Sequence, residues 1–143
     1  HNVGYLMGVS FEFDSRAVVA HDLDADGRVD LCVVQNWGTG DKSGTVLHIY
    51  RNVAKSDGHW IGVRLHEAKG QPSPIGARIT VNTAKGKKIA RIVNGDSFSC
   101  QHPTTAHFGL GEIDQVESID VRWPNGKTVR IAKPATDQYH TIR

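Results

Sequence analysis

The chain is built of short apolar–polar alternations and bounded apolar runs, and no segment sustains a helical period. The clearest pattern is Ile119-Asp120-Val121-Arg122-Trp123, then Pro124-Asn125-Gly126, then Lys127-Thr128-Val129-Arg130-Ile131. Both arms alternate residue by residue, and Pro-Asn-Gly supplies a preset φ followed by a position that accepts φ > 0, so a hairpin is predicted. A second hairpin is expected to pair 76–83 with 87–94 through Thr83-Ala84-Lys85-Gly86. Runs rich in β-branched residues and bounded by Gly, Pro, Asn or Asp predict further strands near 6–10, 16–21, 30–35, 45–51, 59–65 and 105–109. With strands also near 116–123 and 127–132, the expectation is an all-β chain with little helix. Two segments break the pattern: 53–58 reads as a linker and 67–75 as a long polar loop.

Composition narrows this picture. With 143 residues, 38% of them hydrophobic, the chain has room for one ordinary domain or two very small ones, which excludes a large multidomain enzyme. The longest apolar runs, 17–20 and 31–34, fall far short of the ~20 residues that cross a bilayer, so no membrane span is expected. No charged-then-apolar leader stands before His1, which is expected of an export signal already removed or outside this sequence. The net charge of +2 hides an asymmetry: residues 1–53 hold seven acidic and four basic groups, and 54–143 hold eight and thirteen. That shift marks a boundary near residue 53 and concentrates negative charge in one short segment. The basic run Lys85-Gly86-Lys87-Lys88 is narrow and aromatic residues make up only 7%, so a solvated hairpin tip is expected there and no nucleic-acid partner. Cys32 and Cys100 belong to no zinc or redox motif; they read as buried thiols, with a disulfide between them left open.

The charge concentrates in Asp22-Leu23-Asp24-Ala25-Asp26-Gly27-Arg28-Val29-Asp30, lying between two apolar runs. Carboxylates at positions 1, 3, 5 and 9, with the Arg28 backbone carbonyl at position 7, can converge on one hard cation, and Gly27 permits the sharp turn this needs. Four carboxylates this close repel one another unless neutralised, and Ca²⁺ would remove that cost. An EF-hand is excluded, because its twelfth position requires a bidentate Glu and here is Val33, with strand-like flanks. Magnesium, which prefers few carboxylates and several waters, suits the set less well. The alternative is a solvated acidic turn without metal.

Residues 16–36, together with Val46-Leu47-His48-Ile49-Tyr50-Arg51-Asn52, resemble an FG-GAP/VCBS-type repeat, the calcium-binding blade of integrin-like β-propellers. The remainder of the chain is similar to an ASPIC/UnbV domain, the module that closes such propellers in the cartilage acidic protein family and many bacterial secreted proteins. The matching stretches are His59-Trp60-Ile61-Gly62-Val63-Arg64-Leu65, Ile75-Gly76-Ala77-Arg78-Ile79-Thr80-Val81, His107-Phe108-Gly109-Leu110-Gly111 and Val121-Arg122-Trp123-Pro124-Asn125-Gly126-Lys127. Residues 94–102 depart from the family's usual Gly-rich run. The resemblance implies one propeller-like blade over 1–53 and a small β-sandwich or barrel over 54–143. It also implies calcium ligands at Asp22, Asp24, Asp26, Arg28 (carbonyl) and Asp30, and an extracellular or periplasmic location. One blade cannot cover both faces of its own sheet, so residues 1–53 are expected to present apolar surface to further blades on the same or another chain.

The expected function is therefore a non-catalytic, secreted calcium-binding module for assembly or adhesion. The alternatives are a scaffold piece of a larger extracellular enzyme complex and a carbohydrate-binding module using Trp60, Trp123 or the 67–75 loop. Gly95-Asp96-Ser97-Phe98-Ser99 and Asp137-Gln138-Tyr139-His140 imitate the two ends of a GDS(L)-type esterase, but the 43 residues from Ser97 to His140 leave no room for the α/β layers such a nucleophile needs. His102 and His107 lack a third metal ligand at motif spacing, and His1 could bind copper only as a true N-terminus. Trp60 and Trp123 are expected in the sandwich core.

Overall fold

A computed structural model describes residues 4–10, 14–55, 57–67, 73–96 and 98–143. Ten strands carry these residues: β1 (Asp14–His21), β2 (Asp30–Thr39), β3 (Lys42–Tyr50), β4 (His59–Leu65), β5 (Arg78–Thr83), β6 (Gly86–Arg91), β7 (Thr105–Gly111), β8 (Ser118–Arg122), β9 (Thr128–Ala132) and β10 (Tyr139–Ile142). The described residues contain no helix, and hence none long and apolar enough to cross a membrane. The strands form three sheets, ordered β1-β2-β3, β10-β4-β7 and β6-β5-β8-β9, and none closes into a barrel.

The β8–β9 hairpin forms as its alternation predicts. Arg122 faces Thr128 and Val121 faces Val129, Gly126 takes φ 88°, and the Trp123 N–H donates to the Lys127 carbonyl at 2.9 Å. Ile119, Val121 and Trp123 point inward while Asp120 and Arg122 do not. In the β5–β6 hairpin the inner strand buries Ile79 and Val81, whereas the edge strand β6 is exposed and lysine-rich, which discourages pairing with other chains. The β5–β8 and β4–β7 sheets enclose one core, formed by Ile61, Val63 and Leu65 of β4, Ile79 and Val81 of β5, Phe108 and Leu110 of β7, and Ile119 and Val121 of β8. Each such fully buried side chain contributes about 1.5–3 kcal/mol of transfer free energy.

Three sequence expectations change. Residues 4–8 form a turn, closed by Gly8 N–H to the Tyr5 carbonyl at 3.1 Å, rather than part of a strand over 6–10. Their side chains Tyr5, Leu6 and Met7 have no periodic polar partners and lie exposed. The C-terminal segment 139–142, which carries no long alternation, becomes β10 because it adds in parallel to the edge of β4, with Tyr139 opposite Gly62 and Ile142 opposite Leu65. Trp123 joins the core, but Trp60 faces outward: on β4 the inward positions are Ile61, Val63 and Leu65, which sends Trp60, Gly62 and Arg64 to the other side. Cys32 and Cys100 are not joined, and each is half-buried.

The β1-β2-β3 sheet is an antiparallel meander with Val19, Cys32 and Ile49 side by side on one face and Val18, Val33 and His48 on the other. Apolar side chains remain exposed on both: Leu47 and Ile49 on the first, Val18, Trp37 and Val46 on the second. This sheet meets the rest of the molecule through the loop between β1 and β2, which lies against the outward face of β4 and β10, and through Arg16 of β1, whose guanidinium stands over the Phe98 ring.

Candidate metal centre

The acidic loop hangs between two paired strand ends. His21 closes β1 opposite Asp30, which opens β2, so the ladder brings Asp22 and Asp30 together at its mouth. Between them the chain reverses through Ala25 (φ 59°) and Gly27 (φ 86°). A left-handed alanine costs about 1–2 kcal/mol, and the bonds from the aspartates to the turn offset it. Asp22 Oδ1 accepts from Asp26 N–H at 3.1 Å, Asp22 Oδ2 from Gly27 N–H at 2.9 Å, and Asp26 Oδ1 from Arg28 N–H at 2.9 Å. Asp30 accepts from Leu23 N–H at 3.0 Å and from Asn52 N–H at 2.7 Å, which ties the chain after β3 to the loop.

Asp22, Asp24 and Asp30 each offer a carboxylate oxygen such that all three lie within 4.8 Å of one another; no other triad of His, Cys, Asp or Glu among the described residues does so. Asp22 and Asp30 are only 2% and 3% exposed. Neither forms an ion pair with a Lys or Arg among the described residues. The other two predicted residues stand differently. Asp26 turns its Oδ2 to the Arg28 and Arg51 guanidiniums, and Arg28 also donates through Nε to the Asn52 carbonyl at 2.9 Å. Arg51 Nε reaches Asp24 Oδ2 at 2.8 Å, so one guanidinium bridges the exposed Asp24 and the half-buried Asp26. Four carboxylates against two guanidiniums leave the cluster at a formal −2, which a divalent cation would cancel. Buried carboxylates without a countercharge are costly, and an all-oxygen donor set suits a hard cation such as Ca²⁺; the residues therefore fit that ion.

Arg51 was not among the sequence candidates, and its position has a consequence for binding. A cation drawing on Asp24 competes with the guanidinium for the same oxygen. Arg51→Gln is expected to tighten calcium binding by about two- to fivefold, as loss of an exposed competing pair. Calorimetric titration checks this, and weaker binding in the variant would show that Arg51 supports the site.

Beneath the loop lies an aromatic platform that spacing in the sequence does not reveal. The Tyr139 hydroxyl donates to Asp22 Oδ2 at 2.9 Å across 117 residues. Trp60 stacks on His107 with ring centres 5.1 Å apart and meets Tyr139 edge-on at 4.9 Å, and the Arg64 guanidinium sits 3.9 Å from the Tyr139 ring centre. Gly62 makes room for the Tyr139 ring, since a Cβ there would come within 2.1 Å of it. Burial, reinforced by the Asp22 carboxylate, raises the Tyr139 phenol above its ordinary range and keeps it a donor. Burial also lowers the basicity of His107 and His21, with Arg64 adding to the effect at His21.

The esterase-like residues are engaged elsewhere. Asp137 bonds His59 Nδ1 at 2.6 Å and accepts from Trp60 N–H at 3.0 Å; the His59 bond holds its carboxyl below the ordinary range. His140 Nε2 bonds the Ala135 carbonyl at 2.8 Å, and Ser97 and His1 lie outside the described residues. His102 pairs with Asp96 at 2.6 Å while His107 stacks on Trp60, so the two histidines have separate partners.

Residues 67–143 match the family model described as ASPIC and UnbV, a match that begins beyond the acidic loop. Cartilage acidic protein 1 from Homo sapiens and from Mus musculus are each 32% identical over 112 residues, covering 78% of this chain and 16% of the relative. The Xenopus tropicalis protein of the same name is 31% identical over 107 residues, covering 74% of this chain and 16% of its own length. The chain thus spans about a sixth of the length of these relatives. A family match over more than half the residues, together with these relatives, leads to one assignment: the chain belongs to the ASPIC and UnbV family.

Proposed function

We propose that this chain is a non-catalytic calcium-binding module of a secreted protein, in which the 22–30 loop holds Ca²⁺ and the β1-β2-β3 sheet forms part of an FG-GAP-like propeller blade. The observation that carries the reading is the pair of buried carboxylates, Asp22 and Asp30, beside Asp24 with no Lys or Arg on either buried member. Bound calcium would supply the positive charge that lets these oxygens share one small volume. The Arg28 carbonyl and Asp26 are the further donors that the loop pattern provides. Among the described residues this sheet has three strands, against the usual four of a blade, and apolar side chains stand exposed on both faces, which supports assembly with neighbouring blades. The relatives are named for cartilage, which supports an extracellular setting. The carbohydrate alternative loses its tryptophan platforms, because Trp123 is in the core and Trp60 is stacked on His107, while residues 68–72 of the 67–75 loop lie outside the described residues.

Calorimetric titration of the chain with Ca²⁺ tests the metal half. Saturable binding at one site is expected, with Asp24→Ala weakening it severely; absence of heat in the wild-type chain, or unchanged binding in the variant, defeats the reading. Solution mass and dye binding test the assembly half, which a monodisperse monomer with little dye-accessible apolar surface would refute.

A further inference from the structure

We infer that Tyr139 and Trp60 couple cation binding at the 22–30 loop to the seating of that loop on the β10-β4-β7 sheet, so that each event strengthens the other. This rests on the calcium reading above and goes beyond it, because the coupling residues belong to the other sheet and touch no expected cation. Tyr139 acts through Asp22: its hydroxyl donates to the carboxylate oxygen that also accepts from Gly27 N–H, which fixes the plane of a buried ligand. Trp60 acts through Gly27. A Cβ at position 27 would lie 2.1 Å from the indole Nε1, so the tightest turn of the loop rests directly on the ring. Gly27 therefore answers two demands, a φ of 86° and a contact that admits no side chain.

The platform is itself held from several sides. His107 backs Trp60, Arg64 covers Tyr139, and Gly62 lets the Tyr139 ring lie on β4. His107 Nε2 is buried without a hydrogen-bond partner, and the ring meets the Gly27 backbone as well as the indole it packs against. A loop lifted from this surface loses the hydroxyl on Asp22 and the indole under Gly27 together. By linkage, whatever the seated loop gains in cation affinity, the bound cation returns to the seating.

Tyr139→Phe keeps the ring and removes the hydroxyl. Calcium affinity is expected to fall about 10- to 100-fold, the usual cost of losing a group that orients a metal ligand. Hydrogen exchange at the amides of Trp60 and Gly62 supplies the second measurement. Calcium is expected to slow it in the wild-type chain and to change it much less in Tyr139→Phe at equal site occupancy, which general destabilisation alone would not produce. If the wild-type chain binds no calcium, the metal reading itself fails. If it binds, and Tyr139→Phe binds within about threefold with the same slowing of exchange, the coupling is overturned while the metal reading stands.

Discussion

Asp22→Ala is expected to abolish measurable calcium binding and to lower the stability of the cation-free chain by about 2–4 kcal/mol. The double effect follows from the number of groups that share this carboxylate. Its oxygens accept from Asp26 N–H, Gly27 N–H and the Tyr139 hydroxyl, and the residue is 2% exposed. Truncation removes one buried carboxylate of the proposed site and leaves three donors to find new partners, two of them at the turn whose left-handed residues they hold in place. Asp22→Asn separates the two consequences, because the amide oxygen still accepts while the charge is gone; it is expected to lose most calcium affinity but recover much of the stability. Calorimetry and urea unfolding of both variants provide the check. Calcium binding by Asp22→Ala within threefold of wild type would remove Asp22 from the ligand set.

Ile61→Ala is expected to cost about 3–4 kcal/mol, the range for emptying a well-packed core position, whereas Ile49→Ala should stay within about 0.5 kcal/mol. Both are strand isoleucines, but Ile61 is 0% exposed between two sheets and Ile49 is 61% exposed on the β1-β2-β3 meander. A loss of that size at Ile61 is a large share of the ~5–15 kcal/mol that holds a typical domain together. Urea midpoints measure both. The pair also probes the proposed blade, because Ile49→Ala should weaken assembly with neighbouring blades while leaving the isolated chain's unfolding unchanged. A large stability loss at Ile49 would mean that the chain already covers this face on its own.

Where alternation was long and the turn residues were specific, the strands could be read directly. Residues 59–65 and the 119–131 hairpin are cases in which period, turn chemistry and burial agree. The β10 strand could not be read this way, since four residues carry little periodicity and their conformation is set by the free edge of β4. Trp60 shows a related limit: alternation placed it on a strand but did not say which face looked into the core. In the acidic loop, spacing predicted that Asp22, Asp24 and Asp30 converge, as their carboxylates do, whereas the turning of Asp26 toward Arg28 and Arg51 depends in part on a residue 25 positions away. The Tyr139 contact was illegible for the same reason at greater range, because nothing local distinguishes a tyrosine that will meet Asp22 from one that only covers a sheet.

The separation of those two residues also sets an order in time. Asp22 and Tyr139 are 117 residues apart, which at about 5–20 residues per second is roughly 6–23 s of synthesis. Throughout that interval the loop's carboxylates have emerged but their platform is incomplete, and β4 awaits the strand that will cover one of its edges. An open edge of this kind can capture another chain. Until β10 arrives that edge of β4 stays open, and a truncation that removes only β10 should yield an aggregating product rather than a slightly shorter version of the fold.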